Sequence, residues 1–176
     1  TDGRDPLVGA LGRRGDRDLG GRLTLAGDHE RDAPRPIEDP HPLIERAGEG
    51  TDTVNASASF VLPDHVERLT LTGSASINAT GNALANVLTG NRGNNVLQGL
   101  AGNDTYIGGA GNDTLMDNST TSSDIYRWGT ELGNDTITGA GGTADRIEMA
   151  AGITSSQVKL TRSGNNLLVG ITGSTD

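Results

Sequence analysis

GNALANVLTGNRGNNVLQGLAGNDTYIGGAGNDTLM, residues 81–116, decides the fold. It divides without a gap into four nine-residue blocks, GNALANVLT, GNRGNNVLQ, GLAGNDTYI and GGAGNDTLM, headed by Gly81, Gly90, Gly99 and Gly108. Position six is Asn86, Asn95, Asp104 and Asp113; position eight is Leu88, Leu97, Tyr106 and Leu115. A nine-residue unit is too short to fold alone, so it must stack on copies of itself. Glycines let the first six residues visit positive φ and bring their carbonyls together. Position six adds a carboxylate to those carbonyls. The last three residues read as a short strand with position eight inward. The period therefore predicts an all-β solenoid whose turns can bind metal.

The blocks resemble the repeats-in-toxin (RTX) nonapeptide, G-G-x-G-x-D-x-U-x with U apolar. Gly108, Gly109, Gly111, Asp113 and Leu115 fit every fixed position of the fourth block, and the third misses only the second glycine, at Leu100. The two earlier blocks carry Asn in place of Asp, and the first has Leu84 in place of the later glycine. After Met116 the register continues with insertions: SSDIY at 122–126, GNDTI at 133–137 and TADRI at 143–147. Residues 48–86 resemble the lead-in of long bacterial RTX proteins, and residues 139–173 the region that follows the repeats in haemolysin-type calcium-binding proteins.

The resemblance implies a parallel β-roll, a β-solenoid with calcium-binding turns. Two units make one coil, so strands alternate between two sheets and units i and i+2 stack roughly 4.8 Å apart. That rule predicts two inner columns, Leu88–Tyr106–Tyr126–Ile147 and Leu97–Leu115–Ile137, with Tyr106 over Tyr126. It also sorts position six onto two edges, Asn86–Asp104–Asp124–Asp145 and Asn95–Asp113–Asp135. Calcium accepts six to eight oxygens in forgiving geometry. The resemblance places ions between turns i and i+2, at Asp104 with Asp124, Asp113 with Asp135 and Asp124 with Asp145. Weaker sites would pair Asn86 with Asp104 and Asn95 with Asp113, because an amide oxygen ligates without adding charge. Carbonyls of Gly99, Ala101, Gly102, Gly108, Ala110 and Gly111 would complete the ligand set. G-N-D-T is also an ordinary turn sequence, so a metal-free solenoid would use the same residues.

The rest of the composition fits a thin repeating core. The chain has 176 residues, 27 glycines and only four aromatic residues, Phe60, Tyr106, Tyr126 and Trp128. The net charge of −9 argues against a nucleic-acid partner, whose phosphates require Lys and Arg. Crowded carboxylates make bound cations a natural remedy. Zero cysteines exclude disulfides and thiolate metal sites. His29, His41 and His65 lack zinc spacing. No apolar run approaches a membrane span, no signal peptide opens the chain, and it reads as an internal fragment.

Four segments are expected. Residues 1–46 hold eight of the 14 basic residues and five of the six prolines, with no sustained period, and read as a disordered or non-native leader. Residues 47–80 read as lead-in solenoid turns, including a β-leaning run from Thr53 to Leu62 and alternation from Val66 to Thr72. Residues 81–148 form the roll. Residues 149–176 read as a truncated C-terminal cap: a short helical turn over 150–158, then a β-hairpin closing the stack.

The leading functional expectation is a structural and secretion module of an extracellular bacterial protein, folding on Ca²⁺ after export. The resemblance implies the secretion machinery as a partner; oligomeric state is open. One alternative is the non-catalytic tail of a secreted calcium-dependent hydrolase, protease or epimerase, since no nucleophile or zinc site is present and any catalysis would lie outside these residues. Another is an adhesin. Outward positions seven and nine, Val87/Thr89, Val96/Gln98, Thr105/Ile107 and Thr114/Met116, form a mixed ladder, which places adhesion below scaffold.

Overall fold

The computed structural model describes residues 23–26, 50–129, 133–139, 142, 144–163 and 166–171. Eleven strands wind the solenoid: β2 (Thr53–Ala56), β3 (Phe60–Val61), β4 (Arg68–Leu71), β5 (Ala79–Thr80), β6 (Val87–Thr89), β7 (Val96–Gln98), β8 (Thr105–Ile107), β9 (Thr114–Met116), β10 (Ile125–Trp128), β11 (Thr136–Thr138) and β12 (Arg146–Met149). They alternate between two sheets. One sheet runs β2-β4-β6-β8-β10-β12 with β1 (Leu23–Ala26) at its end; the other runs β11-β9-β7-β5-β3. Every pairing within the roll is parallel, whereas β1 joins β2 antiparallel, with Leu23 opposite Ala56. An antiparallel strand there covers the open edge of the parallel stack. The remaining residues of the 1–46 leader lie outside the described residues.

The three-residue strands are short because each coil is only two nonapeptides long. In β6 to β9 the middle residue alone is buried, as a period of two requires when the chain turns immediately on either side. Register then builds the core. Val54, Leu69, Leu88, Tyr106, Tyr126 and Ile147 are successive partners in one sheet. Phe60, Ala79, Leu97, Leu115 and Ile137 are successive partners in the other. Burying each larger member contributes on the order of 2 kcal/mol before entropy costs. The Tyr106 and Tyr126 rings stack with centroids 5.0 Å apart and planes 8° apart. Ile147 is 37% exposed although it is in register, because β12 is the last strand of its sheet.

The run from Thr53 to Leu62 is two strands, not one. It bends at Ser57 and Ala58 and crosses from the first sheet to the second. β-propensity says that residues suit a pleated surface but carries no information about which sheet they join. After β12, Gln157 N reaches Thr154 O (2.9 Å) and Val158 N reaches Ser155 O (3.3 Å), which are turns rather than a helix. β13 (Val158–Ser163) and β14 (Asn166–Ile171) then form the antiparallel hairpin, hydrogen-bonded to each other and to neither stacked sheet.

Candidate metal centre

Two hydrogen-bond ladders position the turns. The inner one uses position six. Asn86 N donates to Asp104 Oδ1 (2.8 Å), Asp104 N to Asp124 Oδ1 (2.6 Å) and Asp124 N to Asp145 Oδ1 (2.9 Å). On the opposite edge Asn95 N donates to Asp113 Oδ1 (2.8 Å) and Asp113 N to Asp135 Oδ1 (3.0 Å). The spacing is 18 residues within the regular blocks and 20, 22 and 21 beyond them, so the ladder stays intact across the insertions. The outer ladder uses position five and runs the other way: Asn112 N donates to Asn94 Oδ1 (2.9 Å) and Asn134 N to Asn112 Oδ1 (2.8 Å).

The inner ladder uses one oxygen of each carboxylate. The other, at Asp104 Oδ2 and Asp113 Oδ2, is buried without a hydrogen-bond partner. Buried polar atoms are seldom left so, and each one calls for an explanation. Burial, above all, pushes Asp104 up to about 7, helped by the charges of Asp124 and Asp117 and opposed by its bond from Asn86. Burial likewise raises Asp113 to about 6, with Asp135 adding to it, and raises Asp124. Ionised carboxylates in such a place need a counter-charge. Asp113 Oδ2 and Asp135 Oδ2 converge over Gly108, where an added Cβ would meet them at 2.6 and 3.2 Å. Gly108 leaves that space open. Of the other turn residues expected to offer carbonyls, Gly99 is buried beside Asp104, Gly102 and Gly111 hold φ of 113° and 108°, Ala101 is exposed, and Ala110 N donates to Asn91 O (3.1 Å). The donor set is oxygen throughout, and this suits a hard cation such as Ca²⁺.

The Asn-bearing turns are chemically different. Asn86 Oδ1 accepts from Asn82 N (2.7 Å), and its Nδ2 donates toward Val66 O (3.3 Å) and Glu67 O (3.4 Å). Asn82 Nδ2 donates to Pro63 O (2.7 Å) and Val66 O (2.8 Å). On the other edge Asn95 Nδ2 reaches Ile77 O (2.7 Å), while Asn91 Nδ2 reaches Thr72 O (3.1 Å) and Ala75 O (3.0 Å). Amide hydrogens thus satisfy the carbonyls of the preceding turn. Asn82 and Asn91 were not singled out in the sequence. The signal was there: blocks with Asn at position two have Asn at position six, and blocks with Leu100 or Gly109 there have Asp.

Asp117 is the other residue missed. It follows Met116 directly, and its N donates to Thr138 O (3.1 Å), the same ladder bond that Gly90 N makes to Ile107 O (2.8 Å) and Gly99 N to Met116 O (3.2 Å). It therefore occupies the glycine position of a unit lengthened by insertion. Oxygens of Asp117, Asp124 and Asp145 lie within 4.8 Å of one another.

A parallel β-roll with glycine turns and carboxylates stacked along its edges defines the class of protein. Residues 80–115 and 130–143 match the family described as the RTX calcium-binding nonapeptide repeat (four copies), so the chain carries RTX calcium-binding repeats. No curated protein and no solved structure matches the chain.

Proposed function

We propose that the chain is a calcium-dependent structural module of a secreted bacterial protein, exported unfolded and folded outside the cell by Ca²⁺. The observation that carries this reading is the pair of buried, unpartnered oxygens, Asp104 Oδ2 and Asp113 Oδ2, inside oxygen-only turns. Calcium would sit on the Asp-bearing edges, at Asp104 with Asp124, Asp113 with Asp135 and Asp124 with Asp145, with turn carbonyls as neutral ligands. Asn86 and Asn95 close their turns through amide hydrogen bonds, so these positions do not need an ion.

The mechanism is linkage. Without the ion, the stacked carboxylates oppose folding. Ions that bind only the stacked state pull the equilibrium toward it, by about 1.4 kcal/mol for each site at ten times its dissociation constant. Extracellular-type sites, with dissociation constants on the order of 10⁻⁴–10⁻³ M, would stay unloaded inside a cell and fill outside it. Far-ultraviolet circular dichroism checks this directly. EDTA should strip the β signal of the Asp-bearing coils and millimolar Ca²⁺ restore it; identical spectra in both conditions would refute calcium-dependent folding.

A further inference from the structure

The turn that begins at Asp117 departs from the four regular blocks before it. In those blocks position one is glycine, at Gly81, Gly90, Gly99 and Gly108. It has to be, because a Cβ at Gly99 would collide with Asp104 Oδ2 and the Tyr106 hydroxyl of its own unit. The insertion between Asp117 and Asp124 relieves that collision and admits a side chain. The side chain admitted is a third carboxylate, fully buried.

Its surroundings do not neutralise it. Asp117 Oδ1 accepts from Ser119 N (2.7 Å). The Ser122 hydroxyl lies 3.3 Å from Asp117 Oδ2 and 2.9 Å from Asp124 Oδ2, and its single hydrogen cannot serve both. Asp145 Oδ2 accepts from Gly142 N (3.2 Å). No Lys or Arg pairs with the three acids among the described residues: Arg127 and Arg146 pair with Glu148 instead.

A separate observation points into the same place. The Tyr106 hydroxyl accepts from Gly99 N (3.1 Å) and donates to Met116 O (3.1 Å). Its stacked partner, Tyr126, is only 3% exposed, yet its hydroxyl has no hydrogen-bond partner. Burial first, then the charges of Asp124, Asp145, Asp117 and Asp104, hold that phenol well above its usual range. A buried neutral oxygen is thus left over beside a knot of carboxylates. Asp104 Oδ2, also buried and unpartnered, feels the charges of Asp124 and Asp117.

We infer that Asp117, Asp124 and Asp145 form a three-carboxylate Ca²⁺ site, distinct in composition from the two-carboxylate sites of the regular repeats, in which Asp117 is the added ligand. Ser122 and Tyr126 supply neutral oxygens at its margin. The inference rests on the calcium reading above. Affinity in oxygen-ligand sites is tuned by the number of charged ligands, so this site loads first as calcium rises.

Calorimetric titration of the full chain with Ca²⁺ tests it, using Asp117→Asn, which keeps shape and removes charge, and Asp117→Gly, which restores the repeat's own residue. The wild type should show a tightest class of one ion. Both variants should lose that class, with its dissociation constant raised at least tenfold, while the remaining ions still bind and the calcium-loaded β signal persists. Titrations unchanged in both variants overturn this inference and leave the calcium reading standing. A wild type that takes up no calcium overturns both. If Asp117→Asn fails to fold, the glycine variant decides, since glycine is the residue the other turns tolerate.

Discussion

Leu100 stands where the fourth block has Gly109, and both hold positive φ, 77° and 93°. A left-handed backbone costs a residue with a Cβ roughly 1–2 kcal/mol, and glycine nothing. Leu100 is 37% exposed, so it returns little by burial. Leu100→Gly should therefore raise stability by about 1 kcal/mol in calcium, after the greater freedom of glycine in the unfolded chain offsets part of the gain. A denaturant midpoint that falls instead would show that the side chain packs more than its exposure suggests. Gly108→Ala should do the reverse. The new methyl would intrude on Asp113 Oδ2 and Asp135 Oδ2, so calcium affinity on that edge should drop at least tenfold in a calorimetric Ca²⁺ titration.

At the scale of the element, two kinds of turn share one strand geometry. Turns headed by Gly81 and Gly90 carry paired Asn residues whose amides bond the preceding carbonyls; turns headed by Gly99 and Gly108 carry Asp. The first kind should survive calcium removal. Hydrogen exchange in EDTA should leave β4 to β7 protected while β10 to β12 exchange freely; uniform loss along the roll would refute the distinction. Asn91→Gly combined with Asn95→Asp rewrites an amide turn as a carboxylate turn, and should extend the calcium-dependent region backward by one coil. Strand order and register from β6 to β12 were legible because glycine heads each of the four regular blocks and an acid followed by an apolar residue keeps the register beyond them, even where insertions stretch the spacing to 22 residues. The corner after Ala56 was not, since no glycine marks it. Asp117, Asn82 and Asn91 were also missed, because their roles depend on atoms about 20 residues away that only stacking brings close.

For the molecule as a whole, charge links folding to pH as well as to calcium. Asp104 and Asp113 are held at about 7 and about 6 in the fold, against an ordinary 3.8. A carboxyl whose folded pKa is raised binds protons more readily folded than unfolded. Its stabilising effect is complete below about pH 4 and is lost as pH rises through the folded values. In EDTA the chain should accordingly resist urea better at about pH 5 than at about pH 8. With saturating calcium the order should reverse, because protons and ions compete for the same oxygens. Equal midpoints in EDTA at the two pH values would mean that these carboxyls are solvated in the metal-free chain.

The tyrosine pair gives the molecule its own optical gauge. Tyr106 and Tyr126 belong to successive coils, and their nearly parallel rings, 5.0 Å apart, are close enough for their near-ultraviolet transitions to couple. That coupling exists only when β10 has docked on β8, whatever the total β content. It separates the moment of coil docking from the gain of extended backbone, and it does so without a label.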